Sequence, residues 1–240
     1  MFLKSFNNFI FLSPHFDDAV LSCGLLLDKL QRNEKNILVV TVFTKASKKP
    51  YSKDAKIFVY KSGHKDAEEL FARREVEDRN ALRLFGAKHL HLDFTDAVFR
   101  KNNYWENQKL KKNLTQTINN IKISPKTLIL APLGVGKHPD HLLINSLVKR
   151  MKSPPIFWED FPYNTNPYFV KRFFRFNYKY REAFTLRGSK NINKIKAIKM
   201  YKSQINMLFG KKEIPNLPEK YFYLKDSKIF KNFFAELSDE

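Results

Sequence analysis

Two short segments concentrate the residue types that hold metals and move protons. In Ser13-Pro14-His15-Phe16-Asp17-Asp18, one imidazole and two carboxylates fall within four residues. In His138-Pro139-Asp140-His141, two imidazoles stand three residues apart with a carboxylate between them. Three of the chain's six histidines lie in these two segments. His15, Asp18 and His141 together supply two nitrogen donors and one oxygen donor, an arrangement that leaves a fourth position on zinc open for water. The same set suits ferrous iron. Asp17 remains beside that water as a general base, with His138 across from it as an electrophilic or acid group. The plainer reading of the same residues is that Asp17 and Asp18 cap a helix and that His138 merely starts another.

Positioning these groups requires strand ends. Strand-like runs at 8–12, 37–43, 89–94, 127–131 and 156–161 alternate with helix-like stretches at 18–31, 67–84, 108–121 and 139–151. That rhythm predicts an α/β fold, a Rossmann-like, mostly parallel sheet with helices on both faces. The near-continuous apolar runs at 36–43 and 127–131 fit strands buried on both sides. Both chemical segments then fall where a strand ends and a helix begins, the edge at which such sheets bind ligands. Pro139 suits the first position of a helix, placing His138 at its cap and His141 in its first turn. The Lys-rich stretch 45–64 shows no clear period and reads as a long loop over the sheet edge.

Composition narrows the class. With 240 residues, 43% hydrophobic and 15% aromatic, the chain has material for one sizeable core and reads as a single domain over 1–240. The lone cysteine, Cys23, excludes an intramolecular disulfide framework and any CxxC zinc module, and points to a reducing, cytoplasmic setting. The apolar run 19–27 is far short of the roughly 20 residues a membrane span needs. The net charge is +20, and 164–240, with seventeen Lys and Arg against seven Asp and Glu, reads as a basic, aromatic-rich layer packed on the core.

The two chemical motifs, in this order and at these strand ends, resemble the PIG-L/LmbE-like family of zinc-dependent de-N-acetylases, whose motifs usually read Ala-His-Pro-Asp-Asp-Glu and His-Pro-Asp-His. The similarity extends through Arg74-Glu75-Val76-Glu77, Leu84-Phe85-Gly86, Leu92-Asp93-Phe94-Thr95-Asp96 and Trp158-Glu159-Asp160-Phe161-Pro162-Tyr163 to a C-terminal helix from Lys194 to Gln204. The resemblance implies removal of the N-acetyl group from an N-acetylglucosamine-type glycan, glycolipid or nucleotide sugar. It implies zinc ligands His15, Asp18 and His141, Asp17 as general base, His138 steadying the oxyanion, Asp140 orienting His138, and Arg74 and Asp96 near the sugar hydroxyls. The bland alternatives are an Arg74–Asp78 ion pair on a helix surface and Asp96 as a turn former. Departures from the motifs are Phe16 for proline, Ala19 for glutamate, and Gly136 where some members carry a tyrosine.

The basic charge suits an anionic substrate or peripheral contact with an anionic membrane face, and it also fits a Lys-, Asn- and Phe-heavy composition with no such partner. Two rivals remain. An amidase of the same fold could act on a larger conjugate. A nucleic-acid binder could use Arg172, Arg175, Tyr178 and Tyr180, but it leaves the His/Asp motifs without a purpose. Oligomeric state is not legible.

Overall fold

The computed structural model describes residues 2–101, 104–121, 123–124, 126–151, 153, 155–188, 192–210, 213–215 and 217–227. Five strands run parallel: β1 (Asn8–Ser13), β2 (Asn36–Thr41), β3 (Lys88–His91), β4 (Thr127–Pro132) and β5 (Ile156–Trp158). Two more, β6 (Tyr180–Leu186) and β7 (Glu219–Leu224), extend the sheet antiparallel to give the order β3-β2-β1-β4-β5-β7-β6. This mixed, mostly parallel sheet matches the expected fold class.

Strand alternation divides the core. Phe9 and Phe11 of β1 enter one apolar cluster and Ile10 and Leu12 the other, so both faces of the central strand are covered. The first cluster packs α1 (Asp18–Arg32), α2 (Lys53–Lys61), α3 (Ala67–Arg83), α7 (Ile192–Ile198) and α8 (Lys202–Phe209). On the second face lie α4 (Tyr104–Asn119), α5 (Pro139–Val148) and α6 (Pro167–Phe176). The chain leaves β1 toward β2 and β3 on one side, whereas β4 and β5 lie on the other. The β1/β4 boundary is therefore the switch point, where a crevice opens beyond the strand ends.

Three local readings change. The expected loop at 45–64 contains α2, because Ser52 Oγ accepts from Ala55 N at 3.1 Å and Ala55 and Val59, one turn apart, are both buried. The surrounding lysines hide that short apolar face in the sequence. The expected C-terminal helix is two, α7 and α8, broken where Tyr201 and Ser203 are anchored to α3. Tyr201 donates to Asp78 (2.8 Å) and Ser203 Oγ to Glu77 (2.6 Å). Finally, 164–227 enters the sheet itself through β6 and β7. Residues 228–240 of the expected basic layer lie outside the described residues.

The C-terminal strands also support α1. Within α1, Cys23 leaves helical geometry (φ −129°, ψ 17°), which frees amide hydrogens just beyond the kink. Glu219 on β7 accepts from Leu25 N (2.7 Å) and Leu26 N (3.1 Å), while Lys194 Nζ (2.7 Å) and the Tyr221 hydroxyl (2.8 Å) bind the same carboxylate. Glu219 thus caps the second half of α1 from inside the protein. Removing one partner of a buried ion pair leaves the other uncompensated. Glu219→Ala should lower unfolding stability by roughly 3 kcal/mol, and Glu219→Gln by less, as read by chemical denaturation; an unchanged transition in Glu219→Ala would refute this role.

Candidate metal centre

Where β1 ends, Ser13 does the capping that the aspartates were free to do. Its hydroxyl donates to His15 O (2.7 Å) and accepts from Ala19 N (3.1 Å). Asp17 occupies the cap position, yet its side chain makes no capping bond. Both carboxylates are released for other partners. One oxygen of Asp18, Oδ2, accepts from His15 N (2.9 Å) and also contacts His15 Nδ1 (3.0 Å) and His141 Nε2 (3.2 Å).

The second nitrogen of each of these two rings is held by another buried carboxylate. His15 Nε2 lies 3.1 Å from Asp140 Oδ2 and 3.6 Å from Asp96 Oδ2. His141 Nδ1 lies 2.6 Å from Asp160 Oδ1. Asp160 is fixed in turn by Gly134 N (2.6 Å) and Val135 N (3.0 Å), whose aim depends on the left-handed Gly134 (φ +86°). Asp140 also accepts from Ala97 N (2.9 Å) and pairs with Arg100, which donates to Thr95 O at 2.6 Å as well. His15 Nδ1 and His141 Nε2 each contact Asp18 Oδ2, and each imidazole is oriented from behind by a carboxylate. Histidines that bind metals are commonly oriented in this way.

Electrostatics follow from this crowding. Burial works against charge on His15, but Asp96, Asp140 and Asp18 outweigh it and raise its pKa well above the usual histidine range. His141 is likewise disfavoured by burial and then raised to about 9 by Asp18 and Asp160. Asp18 is pulled well below the ordinary carboxylate range by the two histidines, against its burial. A ring of carboxylates around two imidazoles is a place where positive charge is stabilised.

His138 caps α5, its Nδ1 accepting from Asp140 N at 3.3 Å. Its pKa is lowered to about 4, first by burial and then by His15 and His141, so at neutral pH the ring is uncharged with its proton on Nε2. Asp140 meets His138 through its backbone N–H, while its carboxylate serves His15 and Arg100. Lys137, just before it, adopts a left-handed φ of 58°, a strained turn leading into the site. The His138 ring centroid lies 4.8 Å from that of His15 and 5.2 Å from that of His141. Among the described residues, two tight donor groups exist, His15/His138/His141 and His15/Asp96/Asp140. The expected His15/Asp18/His141 set is neither of these: it shares His15 and His141 with the first group, and Asp18 Oδ2 contacts both of those rings.

Asp17 meets Arg74, whose Nη2 lies 3.2 Å from Asp17 Oδ1. Burial raises the Asp17 pKa, Arg74 lowers it, and Asp18 raises it. Arg74 is only 3% exposed and lies over the rings of Phe16, Phe58 and Phe71 at 5.5 to 5.8 Å. It does not pair with Asp78, which is held by His91 Nε2 (2.9 Å) and Tyr201. Asp96 Oδ1 accepts from Val98 N (3.0 Å), capping the turn Ala97–Phe99, and its other oxygen faces His15.

Sequence reasoning assigned no role to Asp160, Arg100 or Tyr163. Asp160 follows β5 as Asp18 follows β1, so an acid just past a parallel strand was its signal. Arg100 carried none. The Tyr163 ring stands edge-on to His141, centroids 5.9 Å apart.

The family model described as GlcNAc-PI de-N-acetylase (PIG-L) matches residues 10–152. A 2'-N-acetylparomamine deacetylase of Niallia circulans is 27% identical over 185 residues, covering 65% of this chain and 67% of the relative. Its counterpart in Streptomyces fradiae is 29% identical over 169 residues, covering 64% of this chain but only 57% of the relative, under two thirds of its length. The structure of the A40926 pseudoaglycone deacetylase Dbv21 superimposes with a TM-score of 0.71 at 25% identity, over 90% of this chain and 96% of that one. All three relatives are deacetylases, which supports an enzyme that hydrolyses N-acetyl amides. With the family model spanning more than half of the residues and covering both His/Asp motifs, the chain belongs to the PIG-L (GlcNAc-PI de-N-acetylase) family.

Proposed function

We propose that this protein is a metal-dependent hydrolase that removes the N-acetyl group from an N-acetylated amino sugar. The observation that carries the reading is the convergence of His15 Nδ1 and His141 Nε2 on Asp18 Oδ2, with Asp17 alongside and bound to Arg74. Two nitrogens and one carboxylate oxygen, backed by Asp140 and Asp160, form a donor set that fits zinc and also ferrous iron. His15, Asp18 and His141 would hold the ion. When bound, such an ion supplies Lewis acidity toward water and toward an acyl oxygen.

The chain's own groups then divide the work. Asp17 accepts the proton of the attacking water and returns it to the departing amine, so acetate and a free amino sugar are the products. Burial favours proton uptake by Asp17, while Arg74 keeps the carboxylate ionised before the reaction. Neutral His138 presents Nε2–H to the negative charge developing on the acyl oxygen. Asp140 positions His15, and Asp96, on the same side of the site, is a candidate for a sugar hydroxyl. Arg74, enclosed by three aromatic rings, acts through Asp17 in place of the sugar contact that the sequence suggested.

The net charge of +20 supports an anionic conjugate of that sugar as substrate, with an anionic membrane face as its source. Among the described residues no helix is long and apolar enough to cross a membrane. A cytoplasmic location is part of the same proposal, supported by the single free, buried Cys23.

The test is acetate release from 2'-N-acetylparomamine and from simple N-acetylglucosaminides by the metal-loaded protein. Asp17→Asn should cut kcat by about 10²- to 10⁴-fold; wild-type turnover in that variant would eliminate Asp17 as the base. Arg74→Met removes the cation that favours ionised Asp17, so the Asp17 pKa should rise. The acid limb of the kcat/KM profile, where activity falls as pH drops, should move to higher pH. A limb that stays put, or moves to lower pH, would contradict the Arg74–Asp17 linkage.

A further inference from the structure

Tyr163 opens the short turn Tyr163–Thr165, three residues beyond Asp160. A Cβ built on Gly136 would fall 2.2 Å from Tyr163 Cδ1 and Cγ and 2.6 Å from Cδ2, closer than side-chain atoms approach. Gly136, unlike Gly134, is not in the left-handed region. What requires glycine at 136 is therefore room for the Tyr163 ring, not an unusual backbone. That room lies two residues before His138, and the ring stands edge-on to His141. Burial, and then the negative charges of Asp18, Asp160, Asp17 and Asp96 at the site, raise the Tyr163 pKa well above the ordinary tyrosine range. Among the described residues the hydroxyl has no hydrogen-bond partner, although the side chain is half-buried. A phenol is protonated at neutral pH and can donate.

We infer that Tyr163 is a catalytic residue whose hydroxyl donates a hydrogen bond to the oxygen of the substrate's acyl group, and that Gly136 is the small residue that admits its ring. The inference rests on the proposed amide hydrolysis. In it, His138 and Tyr163 approach the acyl oxygen from two separate loops, those after β4 and β5. A donor aimed at a developing oxyanion acts mainly in the transition state, so its loss falls on kcat more than on KM.

The experiment compares wild type, Tyr163→Phe, Tyr163→Ala, Gly136→Ala and the Tyr163→Ala/Gly136→Ala double variant, all metal-loaded and checked for equal metal content. Acetate release from 2'-N-acetylparomamine and the affinity for acetate itself, by calorimetry, are both read. Tyr163→Phe should lower kcat by about 10²-fold with little change in KM, and weaken acetate about fivefold. Gly136→Ala should reduce kcat in the wild-type background and change nothing further in Tyr163→Ala. Wild-type kcat and acetate affinity in Tyr163→Phe would overturn the hydroxyl's role. An equal cost of Gly136→Ala in both backgrounds would overturn the pairing. If wild type released no acetate but bound it more tightly than Tyr163→Phe does, the deacetylase reading would fail while the Tyr163 contact stood. Absence of both turnover and acetate binding would overturn both.

Discussion

One carboxylate oxygen, Oδ2 of Asp18, joins the two halves of the site. It receives His15 from the loop after β1 and His141 from the helix after β4, at 3.0 and 3.2 Å. Those strands are neighbours across the switch point of the sheet, so the contact exists only because the parallel order places β4 beside β1. Ser13 caps α1 in place of the aspartates, Asp160 locks His141 from the β5 side, and Asp140 locks His15 from the β4 side. Every one of these supports lies at or just beyond the carboxyl end of a parallel strand.

So much buried charge would be costly if unpaired. Here the acids are shared out: Asp17 to Arg74, Asp140 to Arg100 and His15, Asp160 to His141 and two backbone amides. Asp18, between two imidazoles, is the point at which a bound cation would complete the balance. The same logic extends to α3, where Glu77 holds α8 and Asp78 holds β3, and to Glu219, which caps the kinked α1 from β7. The C-terminal segments thus brace the helix that begins with Asp18.

Much of this was legible in the chain. Buried parallel strands read as apolar runs, and a His/Asp cluster directly after one is a local pattern, so the β–α rhythm and both motifs stood out. What stayed hidden was non-local. Asp160 and Arg100 are single residues without spacing to another ligand, and only the fold brings them to His141 and Asp140. Arg74 was visible on its helix, but only the fold brings it to Asp17 while Tyr201 and His91 hold Asp78. The helix α2 was masked by lysines around the Ala55/Val59 pair. The antiparallel strands β6 and β7 carry no alternation strong enough to separate them from an aromatic-rich layer. The role of Gly136 becomes visible only with the Tyr163 ring above it.

The central claim is that His15, Asp18 and His141 form a metal centre. The most direct measurement is the metal content of the purified protein, before and after reconstitution with zinc or ferrous iron, beside His141→Ala. About one ion per chain in the wild type, lost in the variant, is the predicted result. Equal metal content in His141→Ala, or a folded wild type that takes up neither ion, would contradict it.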